Sequence, residues 1–434
     1  MPAGKTYEAL RADVENIPVI NTHDHFDGPG DQPHHTEPIT SLTLGYVRKD
    51  LITAVGGPAI HDKLIDPEVS TEEKWPLWQQ VWPKMQHTAY ARVTRVILRD
   101  EYGLEEISLE ALKGLAGRLV DYRDEQAYVA KMDRCGIRCN LVNIWPDWKK
   151  LLAGERPVHD RSRLLIGCPA LHGVRSHDAV QEIAGWIDRR ATCLDEYVEV
   201  LREICRKLKD LGAIGLKDQA AYSRIIRYDG GTRGEAERLF GFFMDDPRRS
   251  LGYPEQSKPL DDFLFHELMR IARDLDLPVQ IHTGYLAGTY NDVAKANAAH
   301  LRNILELYRD VRFDLFHGNW PYAGDFLFLG KSYPNVALDC CWLHCMDPRY
   351  ARRLLADAVA TVPQSKVFAF GGDYGALEYT CAHLAIARDN VAAALAEMVD
   401  DAWIGLDEAR QIAADWLFNS PNEFLRLGFE PVSA

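Results

Sequence analysis

Eight short apolar segments, mostly followed by amphipathic helical patterns, predict an α/β chain: a (β/α)8 TIM barrel with a large helical insertion after its first strand. Two observations sharpen that reading. Four of the apolar segments end in a residue type that ligates metals, and more than a hundred residues separate the first strand from the second.

The strand candidates are 17–22, 137–144, 164–171, 213–217, 278–282, 312–317, 335–341 and 367–372. Near-continuous apolar character suits parallel strands covered on both faces. Between them, Leu194 to Leu211 and Phe263 to Leu275 carry apolar residues at helical spacing. Strands alternating with helices imply parallel pairing, and eight such units close into a barrel. The insertion, about 26–128, contains Trp75, Trp78 and Trp82. It leaves the barrel at the end of strand one, so it is expected above the rim where that strand ends. Its tryptophans either fill its own core or wall a pocket, as a lid would. No linker or repeat interrupts the 434 residues, and a single domain is expected.

An apolar fraction of 47% supplies a large core. The formal net charge of −14 argues against nucleic acid or an anionic membrane as partner. No run of eighteen apolar residues occurs, and residues 1–16 lack the apolar core of a signal peptide. Nine cysteines include no C-x-x-C pair, which fits reduced thiols. The expectation is a soluble cytoplasmic homo-oligomer acting on a small molecule.

The sharpest motif is Ile17-Pro18-Val19-Ile20-Asn21-Thr22-His23-Asp24-His25. Residues two apart on a strand face the same side, so both imidazoles leave the strand end together, as a transition metal requires. Asp24 points the other way and reads as structural. His282-Thr283-Gly284, His317-Gly318 and Gly371-Gly372-Asp373 end three later strands. Lys217 ends the fourth, where it reads as an ammonium holding a substrate carboxylate or a nearby Asp. Cys340, Cys341 and Cys345 cluster near a strand end, where buried thiols are the expectation. His266, His300, His344 and His383 read as surface or satisfied core residues.

These segments resemble the amidohydrolase superfamily, most clearly over 278–400. There His282-Thr283-Gly284, Phe316-His317-Gly318-Asn319-Trp320-Pro321, Asn335-Val336-Ala337-Leu338-Asp339 and Phe370-Gly371-Gly372-Asp373 follow the order of the amidohydrolase-2 branch. That branch contains lactonases, decarboxylases and related hydrolases. The stretch 73–103, ending Leu98-Arg99-Asp100-Glu101-Tyr102-Gly103, resembles uronate isomerases, without their arginine-rich sugar-acid pattern. The resemblance implies one or two divalent ions, zinc first and manganese second. His23, His25 and Asp373 would hold the first ion. His282 and His317 would bind metal or polarise the substrate, and Lys217 would bridge two ions if carbamylated. Asp373 would also shuttle the proton of an activated water, and His317, if not a ligand, would stabilise the oxyanion.

Substrate contacts are expected from Arg95, flanked by Arg92 and Arg99 on one helical face, and from Tyr222, Tyr285 and Trp320. The reaction these residues imply is hydrolysis of a C–N or C–O bond in a small polar compound, with a carboxylate admissible. A uronate-type isomerase or a metal-dependent decarboxylase on the same site is the alternative.

Overall fold

The structure is a computed structural model that describes residues 4–156 and 158–433. Eight parallel strands pair in sequence order: β1 Val19–Asp24, β2 Ile137–Val142, β3 Ser162–Gly167, β4 Gly215–Asp218, β5 Val279–Ile281, β6 Phe313–Leu315, β7 Val336–Asp339 and β8 Val367–Phe368. All eight expected strands are present, with ends displaced by a few residues. After β8 the chain continues beside β1 without regular pairing. The amide of Thr22 donates to the Phe370 carbonyl at 3.2 Å, and the amide of Asp373 donates to the His23 carbonyl at 2.8 Å. These bonds join the last segment to the first, making a nearly closed barrel.

The barrel interior is layered. Ile20, Cys139, Leu141, Leu165, Ala337 and Phe368 form an apolar layer, plugged from below by Phe418 and Leu425 of the C-terminal helices. Above it lies a buried polar layer that includes Thr22, Lys217, Gln280, Asp314 and Asp339. Gln280 organises this layer by donating to the Thr22 carbonyl and to the Asp314 carboxylate, both at 3.0 Å. A buried carboxamide with both donors satisfied is fixed in orientation, and its oxygen points up into the site.

After α1 (Lys5–Glu15), the insertion supplies α2 (Pro38–Thr43), α3 (Val47–Val55), α4 (Ala59–Leu64), α5 (Thr71–Met85), α6 (Ala89–Tyr102) and α7 (Leu109–Lys113). Local sequence sets their ends. Ser70 and Glu73 form a capping box at the start of α5. Thr88 caps α6, which stops at Gly103 in the left-handed region at φ 69°. Trp78 and Trp82 stack with centroids 4.8 Å apart inside the insertion's own core, and Trp75 packs against the same cluster. The packing alternative therefore holds for these tryptophans. That cluster also takes in Phe316, Trp342, Tyr374 and Tyr379, so the insertion is packed onto the rim formed by the ends of β6, β7 and β8. Among the described residues, no helix is long and apolar enough to cross a membrane.

Candidate metal centre

β1 delivers His23 and His25 to one point. Their Nε2 atoms lie 3.6 and 3.0 Å from the same oxygen of Asp373, Oδ1. Each ring is held from behind. His23 Nδ1 is 3.3 Å from Gln280 Oε1, and His25 Nδ1 is 2.9 Å from the carbonyl of Asn143. Both partners can only accept, which assigns the ring proton to Nδ1 and leaves the Nε2 lone pairs aimed at Asp373. Two lone pairs and a carboxylate oxygen thus converge with no donor among them when both rings are neutral. Only a cation reconciles such a set, either a proton on His25 or a metal ion.

The same problem recurs beside it. His317 Nδ1 is 2.9 Å from the carbonyl of Cys341, and His282 Nε2 is 2.7 Å from the carbonyl of Tyr285. Those bonds fix the tautomers, leaving His317 Nε2 and His282 Nδ1 lone pair to lone pair at 3.1 Å. Asp373 Oδ2 lies 3.9 Å from His317 Nε2. Oδ1 of Asp373 therefore faces His23 and His25, while Oδ2 faces His317, which in turn meets His282. Cys341, just past β7, also brings its thiol into a group with His317 and Asp373 whose ligand atoms lie within 4.8 Å of one another.

Electrostatics keep three of the four imidazoles neutral. Burial pushes His317 down to about 4. Burial also holds His23 and His282 well below the usual histidine value, and the Lys217 charge adds to the effect. Burial opposes protonation of His25, but Asp373 outweighs it and raises that pKa. Asp373 itself would be raised by burial, yet the His25 hydrogen bond and the neighbouring imidazoles hold it well below the carboxylate range. Lys217 lies one residue before the end of β4, with its Nζ 3.3 Å from the centroid of Phe316. No hydrogen-bond partner reaches that Nζ among the described residues, and burial lowers its pKa to about 8.

Backbone strain concentrates here. Asp373 and His317 occupy the left-handed region at φ 59° and 63°, which costs an L-residue on the order of 1 kcal/mol. Gly372 permits the approach of this segment to β1, because a Cβ there would sit 2.5 Å from Asp24 Oδ1. Asp24 is structural, as expected. Its carboxylate accepts from the Tyr374 amide at 2.9 Å and the Thr380 hydroxyl at 3.1 Å.

A cavity of about 390 Å³ opens onto His25 and Asp373, walled by Tyr46, Trp145 and Tyr374. Trp145 stacks on His25 at 5.2 Å and leaves 69% of its surface exposed. Of the expected substrate contacts, Tyr222 stands 4.8 Å from the His282 ring. Tyr285 holds His282 through its backbone carbonyl. Trp320 packs against Tyr285 and reaches Asp347 at 3.4 Å, one step back from the cavity. Arg95 does not join the site. α6 turns its apolar face inward and leaves Arg95 exposed, while Arg92 pairs with Asp389 and Arg99 with Asp100. The basic side chains that do line the cavity are Arg48 and Lys49 of α3. Sequence reasoning missed them, together with Tyr46 and Trp145, because none ends a strand.

Residues 173–413, more than half of the chain, match the amidohydrolase family profile. Protein fluG of Emericella nidulans is 26% identical over 236 residues, covering 52% of this chain. The chain spans about a quarter of that protein's length, 27%. Glucuronate isomerase from Caulobacter crescentus superposes with a TM-score of 0.76 at 18% identity, over 99% of this chain and 96% of that one. A Lactobacillus casei protein provisionally described as a metal-dependent hydrolase gives a TM-score of 0.66 at 16% identity, over 96% and 97%. At those identities the two structures establish the shared fold, and the profile match establishes the family: this chain is a member of the amidohydrolase family.

Proposed function

We propose that the chain is a metal-dependent hydrolase cleaving a C–N or C–O bond of a small polar compound. The observation that carries this reading is the donor set around Asp373, with His23 and His25 aimed at one of its oxygens and His317 at the other. Those donors fit a divalent ion at His23, His25 and Asp373, zinc before manganese, and the group of His317, Cys341 and Asp373, with His282 beside His317, admits a second. A bound divalent ion supplies Lewis acidity and brings the pKa of water toward ~7.

The remaining chemistry belongs to the side chains. Asp373 accepts the proton of the attacking water and returns it to the leaving group. The tautomer set by Cys341 favours His317 as an electron-pair donor to an ion rather than as a hydrogen-bond donor to an oxyanion. Lys217, buried without an anionic partner, offsets negative charge that develops between β4 and Phe316. The insertion, whose Tyr46 contacts the Asp373 backbone, limits water entry from above.

The test is turnover of zinc- and manganese-loaded protein on N-acyl amino acids, lactones and hexuronates, with elemental analysis alongside. About one or more equivalents of metal, with hydrolysis of an amide or lactone, is the expected outcome. Aldose–ketose interconversion of a hexuronate without hydrolysis would instead select the isomerase reading.

A further inference from the structure

Arg48 and Lys49 occupy the first turn of α3 and line the same cavity as His25 and Asp373. The surrounding basic residues are mostly neutralised. Lys74 pairs with Glu37 at 2.5 Å, Arg92 with Asp389 at 3.0 Å and Lys113 with Glu72 at 3.1 Å. Among the described residues, no carboxylate lies within 4.0 Å of either Arg48 or Lys49. Asp50, the next residue, is turned toward Thr88. The chain carries 64 acidic and 50 basic residues, so two adjacent unpaired cations over its candidate metal centre are against the overall balance.

Like charges held side by side repel, and for Lys49, which is partly buried while Arg48 is exposed, desolvation adds a cost that an incoming anion offsets. Burial and the Arg48 charge both lower the pKa of Lys49. A guanidinium matches a carboxylate through two parallel hydrogen bonds, and an ammonium adds a mobile point charge. The rest of the wall is flat or apolar, with Tyr46, Leu44 and the exposed face of Trp145. Pockets of this kind use a few polar groups to orient a ligand whose body rests on the apolar wall.

We propose that Arg48 and Lys49 form an anion subsite that selects substrates carrying a carboxylate, with an apolar or aromatic body lying between Tyr46 and Trp145. The carboxylate grips the insertion and the scissile bond hangs toward Asp373. Arg48 and Lys49 thereby set specificity, and only the placement of a bond to be cleaved near Asp373 rests on the hydrolase reading.

Binding can be tested without turnover. Zinc-loaded full-length protein is titrated calorimetrically with benzoate, phenylacetate and hippurate, and with the neutral primary amide of each. At least one carboxylate should bind about tenfold or more tightly than its amide. In Arg48→Gln/Lys49→Gln that preference should fall by about tenfold to a hundredfold, with metal content and thermal midpoint unchanged. Lys49→Gln alone should give an intermediate loss. A carboxylate preference that survives in the double variant would place the anion on the metal and overturn the subsite. No preference in the wild type would overturn it as well, and tighter binding of phenyl phosphate than of any carboxylate would reassign the anion. If the preference behaves as expected while no amide or lactone is cleaved, the subsite stands and the hydrolase reading fails.

Discussion

The Tyr46 hydroxyl donates to the backbone carbonyl of Asp373 at 2.5 Å, so the insertion holds the residue on which His23, His25 and His317 converge. The bond bears on a strained position, since Asp373 keeps φ at 59°. Tyr46 is itself clamped, its ring 4.4 Å from Trp342 and 4.8 Å from Tyr374. Burial and the Asp373 charge raise its pKa well above the usual phenol value, so it remains a donor at any working pH.

Tyr46→Phe keeps the ring and removes only that bond. A neutral hydrogen bond contributes about 1 kcal/mol, which corresponds to roughly a fivefold fall in turnover if the bond positions Asp373. Metal content should be unchanged. Steady-state kinetics at matched metal content decide the matter, and an unaltered kcat would show that Asp373 holds its conformation without Tyr46.

The barrel and the cluster of candidate ligands were legible because both follow one rule. A parallel strand buried on two faces is an apolar run, and its last residue is a rim residue. His23, His25, Lys217, His282, His317 and Asp373 lie at or just past the ends of their strands, and the structure brings them together at the rim. The cavity wall follows no such rule. Arg48 and Lys49 reach it because α2 and α3 fold back over the rim, a tertiary fact with no period in the sequence. Arg95 misled for the same reason. Its spacing with Arg92 and Arg99 identifies a helical face, but not which face of α6 meets the barrel.

Lys217 separates two chemistries through stability. A buried ammonium whose pKa drops to about 8 is protonated more readily in the unfolded chain, where its value is near 10.4. Between those values the unfolded state binds more protons, so the folded state gains stability as pH rises from about 8 toward 10. In metal-free protein, Lys217→Met should therefore raise the unfolding free energy at pH 7 by a margin on the order of 2 kcal/mol that shrinks toward pH 10. Scanning calorimetry at both pH values reads this directly. A loss of stability at pH 7 would mean that the amine is modified or paired, as a carbamate would be.

His344 and His383 set an acid limit through buried imidazoles outside the candidate ligand set. His344 is 2.7 Å from the Ala369 carbonyl, and His383 is 3.2 Å from the Gly372 carbonyl. Burial pushes their pKa values down to about 4 and about 3. Both values lie below the unfolded one near 6.5, so their contribution is complete above that pH and is lost as pH falls toward 4. Metal-free protein should lose roughly 1.4 kcal/mol per pH unit for each such group across that window. His383→Gln, measured by urea unfolding at pH 7 and pH 5, should flatten the dependence. An equal slope in the variant would show that His383 is already protonated in the fold.

Asp373 is expected to act as both ligand and proton carrier, and Asp373→Asn separates the roles. The amide keeps one oxygen for the ion shared with His23 and His25, whose Nε2 atoms lie 3.6 and 3.0 Å from Oδ1. The NH2 group then takes the place of Oδ2, which faces His317 Nε2 at 3.9 Å. An amide nitrogen there can donate to that lone pair but cannot accept a proton from water. Turnover should therefore fall by about a hundredfold or more, the usual scale for losing a positioned proton-transfer group. Metal at the first position should be largely retained, because both imidazoles remain and their Nδ1 contacts to Gln280 and Asn143 are untouched. Asp373→Ala should lose metal as well as activity, since it removes the oxygen altogether. Elemental analysis paired with kcat for the two variants resolves the roles. Full activity of Asp373→Asn at matched metal content would leave Asp373 a ligand and move the proton transfer to another group.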